Sequence, residues 1–190
     1  MIRVEPQPEP EEFDERVRQP GKRALDEGRD DLPSYWRRCT DQLYDAYGGI
    51  CAYLSVWISR DTEGRSVEHF APKSKYRDLT YEWSNYRLVS TLMNSRKRDF
   101  EDVLDPFEIQ NGWFELEFMA LQVRPSGAAD AAIRARVQET IDRLKLNDRE
   151  SRRAREEYYD EFLGGNISLD FLRRRCPFVA YEMERQGQTQ

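Results

Sequence analysis

The hydrophobic period of the chain changes near residue 127, and no single-class fold accommodates that change. Downstream, "AADAAIRARVQETIDRLKL" and "DRESRRAREEYYDEFL" place apolar residues three and four apart, the spacing of one helix face, with a break near Asn147-Asp148. Gly164-Gly165 ends the second helix. "SLDFLRRRC" and "PFVAYEME" then form one or two final helices, with Ser168 as N-cap and Pro177 at the first helical position. Upstream, the pattern is alternating or continuous instead. "ICAYLSVWI" (50–58) has the composition of a strand that turns at Asp61–Gly64 into a second strand, "RSVEHF". "DLTYEWSNYRLVS" is a loop with an extended segment, and "TLMNSRKRDF" is a short helix. Asn111-Gly112 between two apolar alternations marks a hairpin at about 105–124. The expected fold class is α+β with helix in excess: a small ββα core at about 48–100, the second hairpin, and C-terminal helices at about 127–184.

A helix is also expected from Pro33-Ser34 to Gly48-Gly49, with Tyr35, Trp36, Cys39, Leu43 and Tyr47 near helical spacing. The first 30 residues are rich in proline and charge, the composition of an extended arm outside the core. The expected organisation is therefore an acidic arm at 1–30 and one domain at 31–190.

No apolar run approaches the ~18 residues that cross a bilayer, and the N-terminus lacks the basic and apolar regions of a signal peptide. A cytoplasmic protein without membrane contact is expected. Three scattered cysteines, Cys39, Cys51 and Cys176, make neither a disulfide framework nor a CxxC pair. The net charge of −6 opposes general polyanion binding, but its distribution is uneven. Residues 1–31 hold ten acids against six bases, whereas residues 71–100 hold seven bases against three acids. A local basic strip on an acidic chain fits a phosphate-facing site.

Inside that strip stands "VEHF", whose His69 is the one histidine of the chain, followed by Asn85 and Asn94. If β-pairing ends at 68–69, the carboxylate and the imidazole can converge on one site. Glu68 and the Asn94 amide oxygen are hard oxygen donors suited to a divalent cation. His69 beside that ion is suited to take a proton from an attacking water. Asn85, both donor and acceptor, is suited to hold a loop or the imidazole in register.

The stretch "VEHFAPKSKYRDLTYEWSNYRLVSTLMNSRK" resembles the HNH (ββα-metal) endonucleases. With "LDP" at 104–106, "GGICAY", "LKLND" and "RRRCPFVAYE", it looks like the HNH proteins of Septu and retron-associated anti-phage systems. The resemblance spans about residues 30–182. It implies His69 as general base, Asn85 orienting its loop, Glu68 and Asn94 holding one Mg²⁺ or Mn²⁺, and Lys97, Lys73 and Arg96 contacting nucleic acid, DNA in preference to RNA. It also implies a partner, an ABC- or SMC-like ATPase that licenses the nuclease, with the N-terminal arm and the C-terminal helices as docking surfaces. The family's zinc cysteines are mostly missing: Cys51 is followed by Leu54, and Ser90 and Met93 stand at the second pair. No structural zinc is expected, and Cys51, Leu54 and Met93 are expected as an apolar plug. The competing reading is an inactive HNH-shaped adaptor.

Overall fold

Five residues, Arg65–His69, form strand β1, and their partner is strand β2, Tyr86–Ser90. The antiparallel register sets Glu68 opposite Arg87 and His69 opposite Tyr86. Aromatic and β-branched residues suit a pleated, buried surface, and Tyr86, Leu88 and Val89 of β2 are buried at 1% exposure or less. Ser90 then starts helix α3, Thr91–Lys97, its Oγ accepting from the Met93 N–H at 3.3 Å. Two antiparallel strands thus run directly into a helix.

These elements come from a computed structural model that describes residues 1–62 and 64–189. The chain forms two compact units, each discontinuous in sequence. One comprises Met1–Val4, Ile50–Trp57 and Asp102–Gln190; the other comprises Glu5–Gly49 and Ile58–Glu101. The second unit holds α1 (Gln19–Asp26), α2 (Thr40–Ala46), β1, β2 and α3. The first holds β3 (Phe114–Glu117), β4 (Gln122–Pro125), α4 (Ala131–Leu144), α5 (Arg149–Leu163), α6 (Leu169–Arg175) and α7 (Pro177–Arg185). The mixed helix-and-sheet class expected from the sequence therefore stands. Among the described residues no helix is long and apolar enough to cross a membrane.

Four features differ from the sequence pattern. First, 50–58 is not a strand. Ile50 and Trp57 make a single antiparallel bridge, and the chain between them folds back on itself through Ser55 at φ +55°. Cys51 N–H donates to Val56 O, and Ser55 N–H to Cys51 O. An apolar run of that length does not distinguish a strand from a tightly wound buried loop. Secondly, the partner of β1 is not 50–58 but the extended segment that ends "DLTYEWSNYRLVS", because Tyr86–Ser90 offers a buried face in register. The expected turn at Asp61–Gly64 includes Glu63, which lies outside the described residues.

Thirdly, Asn111-Gly112 does not reverse the second hairpin. Gly112, at φ +91°, turns the chain ahead of β3, and β3 and β4 reverse at 118–121. The Glu117 carboxylate builds that reversal, accepting from the N–H groups of Met119 (2.6 Å) and Ala120 (2.9 Å). Fourthly, residues 1–30 are not outside the core. Phe13 and Val17, four apart on the helical turn that leads into α1, are both fully buried. Four-residue spacing places them on one face, a signal that the surrounding prolines and charges masked.

The C-terminal helices follow their caps. Asp130, Asp148 and Ser168 accept from Ile133, Ser151 and Phe171 N–H groups at 2.8, 2.8 and 3.1 Å. Within this unit Arg155 of α5 is 1% exposed and donates to Leu121 O and Leu146 O.

Candidate functional site

The end of β1 and the first two turns of α3 open onto a cleft of about 720 Å³. Ser66, Glu68 and His69 line it from β1, and Thr91 and Asn94 from α3. Four cations, Arg37, Arg65, Lys73 and Arg98, border it against two carboxylates, Glu68 and Asp99. The cleft is therefore locally positive on an acidic chain.

His69 closes β1. Its ring is held edge-on between Trp36 and Tyr86, with centroids at 4.8 and 5.2 Å. Nε2 lies 3.0 Å from Thr80 O, a carbonyl that the Tyr86 hydroxyl also donates to at 2.8 Å. Burial pushes the imidazole pKa down to about 4; the bond to Thr80 opposes that push, and the charges of Lys73 and Lys97 add to it. His69 is thus neutral near pH 7, with its proton on Nε2 and its lone pair on Nδ1.

Asn85 sits just before β2 and is 6% exposed. Its Oδ1 accepts from Ala71 N–H at 2.7 Å, and its Nδ2 donates to Ala71 O and Leu79 O at 3.0 and 3.1 Å. Its carbonyl also accepts from Phe70 N–H at 2.9 Å. Asn85 therefore clamps the backbone that leaves His69. Asn94 reaches into the same cleft from α3, its Nδ2 donating to Ser66 Oγ at 2.7 Å, so that its amide oxygen is the atom suited to a cation.

Lys97 is not available to a phosphate. It is 0% exposed, donates to Phe70 O at 3.0 Å, and sits 3.2 Å from Glu68 Oε1, which is itself 1% exposed. The α3 helix explains this: Lys97 is one turn beyond Met93, which is also 0% exposed, so both face inward. Lys73 does border the cleft, exposed, with Nζ 4.2 Å from the Trp36 ring centroid. Arg96 is half-buried on α3 and is not part of the cleft wall. The basic strip of the sequence is thus partly internal, since Arg87 is also buried, at 3% exposure.

Three contributors have no side-chain signature in the sequence. The Thr80 carbonyl that fixes the His69 tautomer is backbone. Arg65 comes from the start of β1, where its guanidinium donates to Asp41 and Arg60 O at 2.5 and 2.6 Å. Arg98 caps α3 at φ +49°, a conformation that L side chains rarely adopt, and its place after the last turn brings it to the cleft wall.

The donor set suits a hydrated hard cation. Among the described residues no group of three or more His, Cys, Asp or Glu could hold a metal ion. Glu68 and Asn94 could offer two oxygen donors to such an ion, since Mg²⁺ is commonly held by one or two protein oxygens with water and phosphate completing its shell. Of the residues expected as an apolar plug, Cys51 and Leu54 are buried in one unit and Met93 in the other, while Ser90 is spent on capping α3. No family model matches the chain, and no curated protein matches it.

Proposed function

We propose that the chain is a metal-dependent endonuclease of the HNH type, hydrolysing phosphodiester bonds of nucleic acid. One observation carries it: a half-buried, neutral histidine with a fixed tautomer shares a cationic cleft with the Glu68 carboxylate and the Asn94 amide. His69 Nδ1 takes a proton from water as its oxygen bonds to phosphorus and the phosphorus–oxygen bond to the leaving group breaks. Asn85 keeps the loop beyond His69 in place, so that the ring presents Nδ1 to the cleft. Lys73 and Arg98 hold the anionic backbone. A cation bound by Glu68 and Asn94 would supply charge neutralisation at the scissile phosphate and the leaving oxygen. By resemblance, the chain acts as the effector of an anti-phage system licensed by an ABC- or SMC-like ATPase, and DNA is the favoured substrate.

A second reading, an adaptor without catalysis, draws on the pairing of Glu68 with Lys97. The two separate in a plasmid-nicking assay with Mg²⁺ or Mn²⁺ and the ATPase present. The nuclease predicts cleavage by the wild type and loss in both H69A and E68Q. Equal cleavage by wild type and H69A, or none by either, supports the adaptor.

A further inference from the structure

The pairing of Glu68 with Lys97 is more than a strut. Both side chains are at most 1% exposed, and the ammonium is 3.2 Å from the carboxylate oxygen. That is longer than the ~2.7–2.9 Å of a charge-assisted hydrogen bond. Lys97 has a second anchor, Phe70 O at 3.0 Å, and its Nζ is 5.5 Å from the Phe70 ring centroid. The ammonium therefore keeps a hydrogen-bond acceptor if the carboxylate is taken from it. The buried Arg87 stands opposite Glu68 in the strand register. Arg87 is fixed by its own bonds to Ser84 O and Tyr86 O, at 2.8 and 3.0 Å. A lysine stem is the more movable of the two.

We propose that the Lys97 ammonium and a divalent cation compete for the Glu68 carboxylate, so that the unloaded cleft is closed by its own lysine. This rests on the functional reading above, in which Glu68 is a ligand. A doubly charged ion bound to a carboxylate oxygen at ~2.1 Å meets a nearby ammonium with little water between them to screen the repulsion. Cation entry then requires Lys97 to retreat toward Phe70 O, and the site holds metal weakly until that retreat occurs. A purely structural Lys97 would instead affect stability and leave metal affinity unmoved.

The test is Mn²⁺ binding by titration calorimetry and electron paramagnetic resonance, without nucleic acid, on wild type, K97M and E68Q. The folded K97M chain is expected to bind Mn²⁺ at least about tenfold more tightly than wild type, and E68Q to lose binding. Equal or weaker binding by K97M overturns the competition while leaving the nuclease reading in place. No Mn²⁺ binding by either wild type or K97M removes both. Because K97M leaves a carboxylate buried without its lysine and can fail to fold, the wild type supplies a second measurement. In the wild type with ¹⁵N-labelled lysine, the Lys97 Nζ resonance is expected to shift on adding saturating Mg²⁺, because the ion takes Glu68 from the ammonium and leaves it only Phe70 O. An unmoved resonance with Mg²⁺ bound overturns the proposal.

Discussion

His69 Nε2 lies 3.0 Å from the carbonyl oxygen of Thr80, and a carbonyl can only accept. The neutral ring must therefore carry its proton on Nε2. Because His69 is the one histidine of the chain, a long-range ¹H–¹⁵N spectrum at pH 7 contains a single imidazole pattern. It is expected to show a protonated Nε2 and an unprotonated Nδ1. A proton found on Nδ1 would remove His69 as the base.

Asn85 satisfies three backbone groups of the loop beyond His69 through its side chain. Its replacement by alanine leaves those groups to seek other partners, at about 1–3 kcal/mol for a buried group left unmet. N85A is expected to lose about 2–3 kcal/mol of unfolding free energy in urea titrations. N85D is expected to do no better, because a carboxylate cannot donate to Ala71 O and Leu79 O. A loss below about 0.5 kcal/mol, the scale of ordinary surface substitutions, would contradict the clamp.

Gly21 tests whether the N-terminal segment is core. A β-carbon there would stand 2.1 Å from Cγ of Tyr81, whose ring is 1% exposed and whose hydroxyl donates to Pro33 O at 2.8 Å. Helix propensity favours alanine over glycine by about 1 kcal/mol, whereas overpacking costs about 1–3 kcal/mol. The clash decides the sign here, because Tyr81 is anchored at its far end. G21A is expected to melt at lower temperature than wild type; a higher melting temperature would show the segment to be loosely held.

Glu182 of α7 gives the first unit an acid-sensitive contact. Burial raises its carboxyl pKa, but hydrogen bonds from Arg185, the Leu116 N–H and Gln186 outweigh that and hold it below the ordinary value. A depressed pKa contributes stability that is present above the unfolded-state value, ~4.3, and is lost as pH falls through the folded value. Unfolding free energy is expected to fall first as pH drops below ~6.5, where the unfolded chain protonates His69 and the folded ring, with its pKa near 4, does not, and to fall further below ~4.3 through Glu182; E182Q is expected to flatten only the second fall. Parallel acid profiles for the two proteins would exclude this group as the cause.

What was legible in the sequence follows from how local each signal is. The C-terminal helices could be located because Asp130, Asp148 and Ser168 announce their starts within three residues. The partner of β1 could not, because "YRLVS" carries no turn signal linking it to "RSVEH" and the chain between them is long. Glu68, His69, Asn85 and Asn94 stand out through joint spacing, and three of them line the cleft directly. The inward orientation of Lys97 is not legible from its position in a motif, which says nothing of which face it takes. Its four-residue distance from Met93 does, and that spacing is visible without a structure.

The two units also differ in when they can form during synthesis. The one that carries the cleft ends at Glu101, whereas the other begins with Met1–Val4 and needs the helices up to Arg185. At ~5–20 residues per second, the ribosome takes roughly 4–17 s to add the 84 residues from 102 to 185. The nascent cleft thus has seconds in which to assemble before its companion, while residues 1–4 and 50–57 wait for the rest of their unit. Trimming the first 30 residues, a natural choice for an arm, would instead remove α1 and Phe13 from the half that forms first.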